Sequence, residues 1–195
     1  MSSVGDLVLD ATGREQIRRV AAWLELDSDP LALYASPRRR AVESAALIAR
    51  IAARAEKEVR IDDRLVELGF GAFEGMTPAE IDAAGWSEIH RAWRQSRPPL
   101  YPAGAERFEQ AAERAVSFFD DVLARAEGLT IVVGHGHQLR ILLAVAILGI
   151  DAEAHRRLRL DHGCAAVVEW EGPTPRLAGL NIARFGSPRR SDRHA

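Results

Sequence analysis

Cysteine, lysine and long apolar runs are what this sequence has least of. Cys164 is the single cysteine, so no internal disulfide can form and a packed core must hold the fold, which excludes a disulfide-stapled secreted domain. The longest apolar stretch, Ile141 to Ile150, is about half of what crosses a bilayer, so no membrane span is expected. Met1 to Asp10 has no basic segment followed by an apolar one and does not read as a secretory signal. The cytoplasm is the expected compartment. Lys57 is the only lysine; a compositional bias toward arginine accounts for this without invoking a ligand. Charge of one sign is lacking too. With 26 basic and 28 acidic side chains the formal net charge is -2, which gives no general attraction to nucleic acid or to an acidic membrane. Anion recognition has to come from a local cluster.

What is present suffices for one globular domain. The chain has 195 residues, 47% of them hydrophobic, and a domain of that size buries roughly 70% of its unfolded surface. Ile17, Val20, Ala21 and Leu24 recur at helical spacing after a turn-like Asp10 to Gly13, giving a first helix over 13–24. Leu31 to Ala35, bounded by Pro30 and Pro37, is too short for a helix and reads as a buried strand. Ser36 and Pro37 then read as an N-cap and first helical residue, with an alanine-rich helix over 41–55. A further short strand is expected within 59–66. Thr77 reads as the cap of a helix, 86–93 as a tryptophan-bearing helix and 106–127 as one long amphipathic helix. Gly128 ends that helix, and the β-branched run Thr130 to Val133 enters Gly134-His135-Gly136 and a helix over 139–148. Two closing strands are expected at 167–170 and 177–182. Strands alternating with helices predict an α/β fold with a mostly parallel sheet covered on both faces. Residues 184–195 form a basic tail read as disordered.

In such a sheet, ligands bind beyond the carboxyl ends of strands, where helix N-termini present free N–H groups. Two strand ends here carry suitable residues. At Ser36-Pro37-Arg38-Arg39-Arg40, cations at a helix start oppose the dipole, at a cost of a few tenths to about 1 kcal/mol each. Either an anion offsets them or they are solvated members of an arginine-rich composition. At Gly134-His135-Gly136-His137, glycine leaves the backbone bare to a ligand and a ring nitrogen can donate to an oxyanion; a capping or core histidine is the structural alternative. Metal ligation fits poorly, because no HExxH-like spacing is present. A third segment, 64–75, sets Glu67 and Glu74 in a glycine-rich apolar loop. Burial there raises a carboxyl pKa toward the range of a general acid, unless either residue caps a loop or pairs with an arginine. Phosphate suits the combined set best, since planar arginine can hold two of its oxygens.

These residues resemble the histidine phosphatase superfamily, whose members share the phosphoglycerate mutase-like fold. Asp6, Leu9, Gly13 and Gln16 resemble the segment after the family's first loop, and Ser36-Pro37 with Arg40-Ala41 and Ser44-Ala45 resembles its SPLxRAxQTA motif. Leu65, Glu67, Gly71, Glu74 and Gly75 resemble LxExxxGxxEG, and 133–140 resembles the second-histidine motif. The resemblance implies a three-layer domain over 1–183 and phosphomonoester hydrolysis through a phosphohistidine, with no metal and no cofactor. It makes Arg40 a phosphate-binding arginine, Gly136 a phosphate-binding backbone position, Glu67 the acid that protonates the leaving oxygen and His135 the stabiliser of the transferring phosphoryl group. The implied partner is a small phosphorylated substrate, with no nucleic acid and no membrane, and a homodimer is compatible with it.

The family's nucleophile lies in an Arg-His-Gly motif on its first, central strand. That motif should precede Asp6, and the sequence has only Met1 to Gly5 there. The expectation is therefore a fold without that strand, with apolar edges exposed. Either a start upstream restores an ordinary phosphatase, or this chain binds phosphorylated ligands without hydrolysing them. His162, in Asp161-His162-Gly163, matches a different loop. Gly104-Ala105-Glu106 departs from the family's Gly-Glu-Ser by one position. Arg91, Arg94 and Arg97 face either an acidic substrate or water.

Overall fold

The computed structural model describes residues 5, 7–24, 31–52, 58–95 and 100–182. The basic tail 184–195, Met1 to Val4 and Arg97 lie outside the described residues.

Strand β1 (Leu31–Ala35) is the centre of a three-stranded parallel sheet, with β2 (Val59–Ile61) on one side and β3 (Leu129–Val133) on the other. Leu33 pairs with Val59 and Ile131, and Ala35 with Ile61 and Val133. Side chains alternate across a strand, and the two faces of this sheet have different partners. Leu33, Ile131 and Val133 pack with Ala21 of α1 (Ala11–Leu24) and with Ile48 and Ala49 of α2 (Arg39–Ala52). Tyr34 and Val132 face a larger core built from α5 (Phe108–Phe118), α6 (Gly136–Leu142), Leu65, Leu68, Phe73 and Trp93. This is the expected helix, sheet, helix layering.

Strands β4 (Ala165–Glu171) and β5 (Thr174–Ile182) form a separate antiparallel hairpin, turning at Gly172 with φ 61°. Among the described residues nothing pairs with the outer edge of β3 or of β4. Leu129 at the start of β3 is 38% exposed, whereas Leu33 in β1 is 1% exposed.

Several boundaries differ from the sequence reading. Ser36 does not cap α2: the first helical N–H groups, of Ala41 and Val42, bond to the Arg38 carbonyl, so Arg38 is the cap. Ser36 instead folds an ST-type turn, its Oγ accepting from the Arg38 N–H at 3.3 Å. The short strand expected within 59–66 is Val59–Ile61, and it stops there because the Asp62 carboxylate accepts the Arg64 N–H at 2.9 Å and caps a 3-10 turn, Asp63–Leu65. The long helix expected over 106–127 is helical only from Phe108, with a wider turn at Phe119–Leu123. Its first turn is shortened because Glu106 is drawn into an ion pair described below. Helix α3 (Pro78–Ala83) has the capping box read from Thr77, with Glu80 accepting the Thr77 N–H at 2.7 Å. Helix α4 spans Ser87–Gln95.

Candidate active site

The carboxyl ends of β1 and β3 are tied together. The Ser36 N–H donates to the Val133 carbonyl at 3.0 Å, and Ser36 Oγ lies 2.8 Å from His135 Nε2 with both residues buried. Either of this last pair can donate, depending on the imidazole tautomer. Burial pushes the His135 pKa down to about 3, and the positive charges of Arg40, Arg38 and Arg114 push the same way. The ring is therefore neutral near pH 7 in an otherwise cationic surrounding. Arg40, in the first turn of α2, reaches back to donate to the Gly5 carbonyl at 2.9 Å. Arg38 Nε is buried and has no hydrogen-bond partner among the described residues. A neutral imidazole ringed by guanidinium groups at two strand ends is a setting that favours a bound anion.

Glu67 sits at the start of α6 and takes up the donors there. Its carboxylate accepts from the backbone N–H groups of Leu68 at 2.9 Å, Gln138 at 3.1 Å and His137 at 3.3 Å. The opening of α6 is thus capped by a protein carboxylate, with Gly136 as its first residue. Burial raises the Glu67 pKa, and the three N–H bonds and the nearby Arg140 oppose the rise without cancelling it. A carboxyl group more protonated than usual, fixed by backbone two residues from His135, has the attributes of a general acid.

The loop that carries Glu67 is gripped from α5. Arg114 donates from Nη1 to the Arg64 carbonyl at 2.6 Å and the Val66 carbonyl at 2.8 Å, and from Nε and Nη2 to Glu106 at 2.7 and 3.0 Å. Glu106 in turn accepts the Gly69 N–H at 3.1 Å, and buried Gln138 donates to the Arg64 carbonyl at 3.1 Å. Both sides of Glu67 are therefore held. The departure at Gly104-Ala105-Glu106 leaves its carboxylate in this clamp. Sequence reasoning did not single out Arg114; its one signal is a guanidinium inside the small apolar stripe Ala111, Ala112, Ala115. Gly71 is required sterically: with φ 55°, a Cβ would run into the backbone of Ala103 to Ala105. Glu74 accepts the Phe70 N–H at 3.1 Å and closes the same loop.

A cleft of about 440 Å³ opens beside Glu67 and is lined also by Phe70, Gly136, His137, Arg140, Asp161 and His162. The structure thus brings Glu67, Gly136 and His162 to one cavity, with His135 and Arg40 at the adjoining strand ends. Arg140 donates to the Gly136 carbonyl at 2.7 Å, and burial lowers its pKa. Among the described residues no three His, Cys, Asp or Glu side chains converge as metal ligands would. No helix among them is long and apolar enough to cross a membrane.

Several known proteins resemble this chain in sequence and in fold. A bifunctional protein of Mycobacterium tuberculosis is 34% identical over 170 residues, covering 87% of this chain and 45% of the relative; the chain spans about half the length of the first such relatives. Glucosyl-3-phosphoglycerate phosphatase of Mycolicibacterium vanbaalenii is 30% identical over 190 residues, covering 85% of this chain and 81% of that protein. A solved mycobacterial glucosyl-3-phosphoglycerate phosphatase in complex with vanadate superposes with TM-score 0.79 at 26% identity, over 93% of this chain and 90% of that one. The alpha-ribazole phosphatase of Shigella flexneri shares the fold, with TM-score 0.77 at 24% identity over 95% and 90% of the two chains. The model of the histidine phosphatase superfamily (branch 1) matches residues 1–183, and with that match the protein belongs to the histidine phosphatase superfamily.

Proposed function

We propose that this protein hydrolyses small phosphomonoesters through a phosphohistidine. The observation that carries the reading is Glu67, a half-buried carboxyl whose pKa desolvation raises, held by the backbone N–H of His137, two residues from His135. In this reading the phosphate oxygens lie against Arg40 and the start of α6 at Gly136, and His135 stabilises the charge on the transferring group. A histidine nitrogen attacks phosphorus, the bond from phosphorus to the alcohol oxygen breaks, and the Glu67 proton goes to that oxygen. Water then attacks the phosphohistidine and returns its proton to Glu67 as phosphate leaves. The sequence has no Arg-His-Gly, so this reading leaves the attacking histidine unassigned. That same lack favours a second reading, in which the chain binds phosphorylated ligands without turnover.

Para-nitrophenyl phosphate with chelator present separates the two readings, alongside calorimetric titration with inorganic phosphate. Turnover that is lost in His135→Ala and Glu67→Gln supports the hydrolase. Phosphate binding that weakens in Arg40→Gln, without turnover, supports the second reading. Absence of both turnover and binding refutes the site.

A further inference from the structure

Against the cleft beside Glu67 stands a hydrogen-bonded histidine pair that the phosphoryl chemistry above does not use: His137 lines the cleft and His155 is buried behind it. His155, buried in the turn Ala152–Arg157, places Nδ1 2.6 Å from the Ala152 carbonyl oxygen. A carbonyl only accepts, so Nδ1 carries the proton, and Nε2 of the neutral ring is a bare lone pair. That lone pair faces His137 Nδ1 at 3.0 Å. His137 Nδ1 must be the donor, which leaves His137 Nε2 without a proton.

Burial keeps both rings neutral, pushing the pKa of His137 down to about 2 and of His155 to about 3, with Arg140 and Arg156 adding to the effect. The His137 ring is also fixed in place. It stands edge-on to Phe70, with ring centroids 5.6 Å apart at 77°, and leans on Trp93 at 5.6 Å. Among the described residues no hydrogen bond engages its Nε2, and the residue lines the cleft. Asp161 and Arg140 line the same cleft. Asp161 accepts at Oδ2 from Arg159 at 2.8 Å and from Asn181 Nδ2 at 3.1 Å, which leaves Oδ1 as its remaining acceptor.

We infer that His137 Nε2 is a fixed hydrogen-bond acceptor that reads a hydroxyl on the alcohol part of the substrate, so that polyol phosphates are preferred over phosphates of plain alkyl alcohols. Hydroxyls both donate and accept, and so match Nε2 and the Asp161 carboxylate as acceptors and the Arg140 guanidinium as donor. The inference rests on the reading above for the position of the phosphoryl group. His155 is a positioning residue, acting only by fixing the His137 tautomer.

The test combines nitrogen-15 spectra of the histidine rings with calorimetric titration. In the free protein His137 Nε2 is expected to be unprotonated; His155→Gln, which keeps an acceptor, preserves that state, and His155→Leu releases it. Glycerol 1-phosphate is expected to shift the Nε2 resonance and to bind about tenfold more tightly than propyl phosphate, the worth of one well-made hydrogen bond. His137→Phe keeps an aromatic ring and is expected to erase that difference. A protonated Nε2 in the free protein, equal affinities for the two esters, or no response of Nε2 to saturating glycerol 1-phosphate overturns the inference. Inorganic phosphate titrated in parallel keeps the two readings apart. If phosphate fails to bind, the phosphoryl site is wrong; if it binds while the esters do not differ, only the role of His137 is wrong.

Discussion

Replacing Arg114 by methionine is the sharpest single perturbation of this protein, because one side chain links Glu106 to two carbonyls just before Glu67. The stem keeps its packing, while the Glu106 carboxylate and the Val66 carbonyl lose their charged donor. Side-chain exposures of 16% for Arg114 and 22% for Glu106 make this a mostly desolvated pair. Breaking such a pair from one side costs about 3 to 5 kcal/mol, and the residual exposure favours the low end, about 3 kcal/mol. For a chain of this length that is a fall in Tm of roughly 6 to 12 °C. Urea unfolding followed by tryptophan fluorescence measures it. Arg18→Met is the control, since Arg18 pairs with Glu15 at 3.7 Å with both side chains more than half exposed, and it should cost no more than about 0.5 kcal/mol. The double variant Arg114→Met, Glu106→Gln should recover about 1 to 2 kcal/mol of coupling relative to additivity. If Arg114→Met costs no more than Arg18→Met, or the two sites prove additive, the clamp has no energetic role.

Gly71→Ala should destabilise by about 2 to 4 kcal/mol, combining left-handed strain with a backbone collision, whereas Gly75→Ala, at φ 75° with nothing within 4 Å of a Cβ, should cost about 1 kcal/mol; thermal denaturation of the pair checks this. His135, His137 and His155 have pKa values lowered to about 3, 2 and 3 from 6.5. The stability they confer is complete above pH 6.5 and falls as pH drops toward 3, by up to about 1.4 kcal/mol per pH unit for each ring. Acid unfolding monitored by circular dichroism should therefore be steep, and each single His→Phe variant should flatten it by one proton. Glu67 has the opposite sign. Its pKa is raised, so the stability it confers is present below its ordinary value of 4.5 and lost as pH rises through the raised value. The stability of Glu67→Gln relative to the parent should then grow from pH 4 to pH 8 in urea titrations, and a constant difference would refute the raised pKa.

Much of the fold could be read locally. Leu31 to Ala35 is a strand because the run is short, apolar and closed by prolines, and Thr77 caps a helix because Glu80 stands three residues on. These patterns are set by residues adjacent in sequence, where hydroxyl, carboxylate and backbone are within reach of one another before any packing occurs. The misplaced boundaries are those where a distant partner wins. Glu106 leaves its helix for Arg114 and Gly69, and Ser36 gives up the cap position for a turn that brings its hydroxyl to His135, ninety-nine residues away.

Candidate site residues were legible as types at strand ends, since His135 between glycines and Arg40 after Ser36-Pro37 announce themselves in any α/β chain. Their states were not. Whether Glu67 is an acid, a cap or an ion-pair partner depends on how much water reaches it and which N–H groups face it. Only the meeting of the 64–69 loop with α6 decides that. The direction of the protons between His155 and His137 is likewise invisible in sequence, because it is fixed by one carbonyl at Ala152 and by ring contacts from Phe70 and Trp93.

The sequence by itself determined the layered α/β architecture, the order of the elements and the chemical inventory, because periodicity and turn chemistry act over a few residues. Tertiary structure alone decided which carboxylate is desolvated, which guanidinium clamps a loop and which imidazole nitrogen is left open. Those outcomes depend on desolvation and on hydrogen bonds between residues far apart in the chain, and neither exists until the layers close.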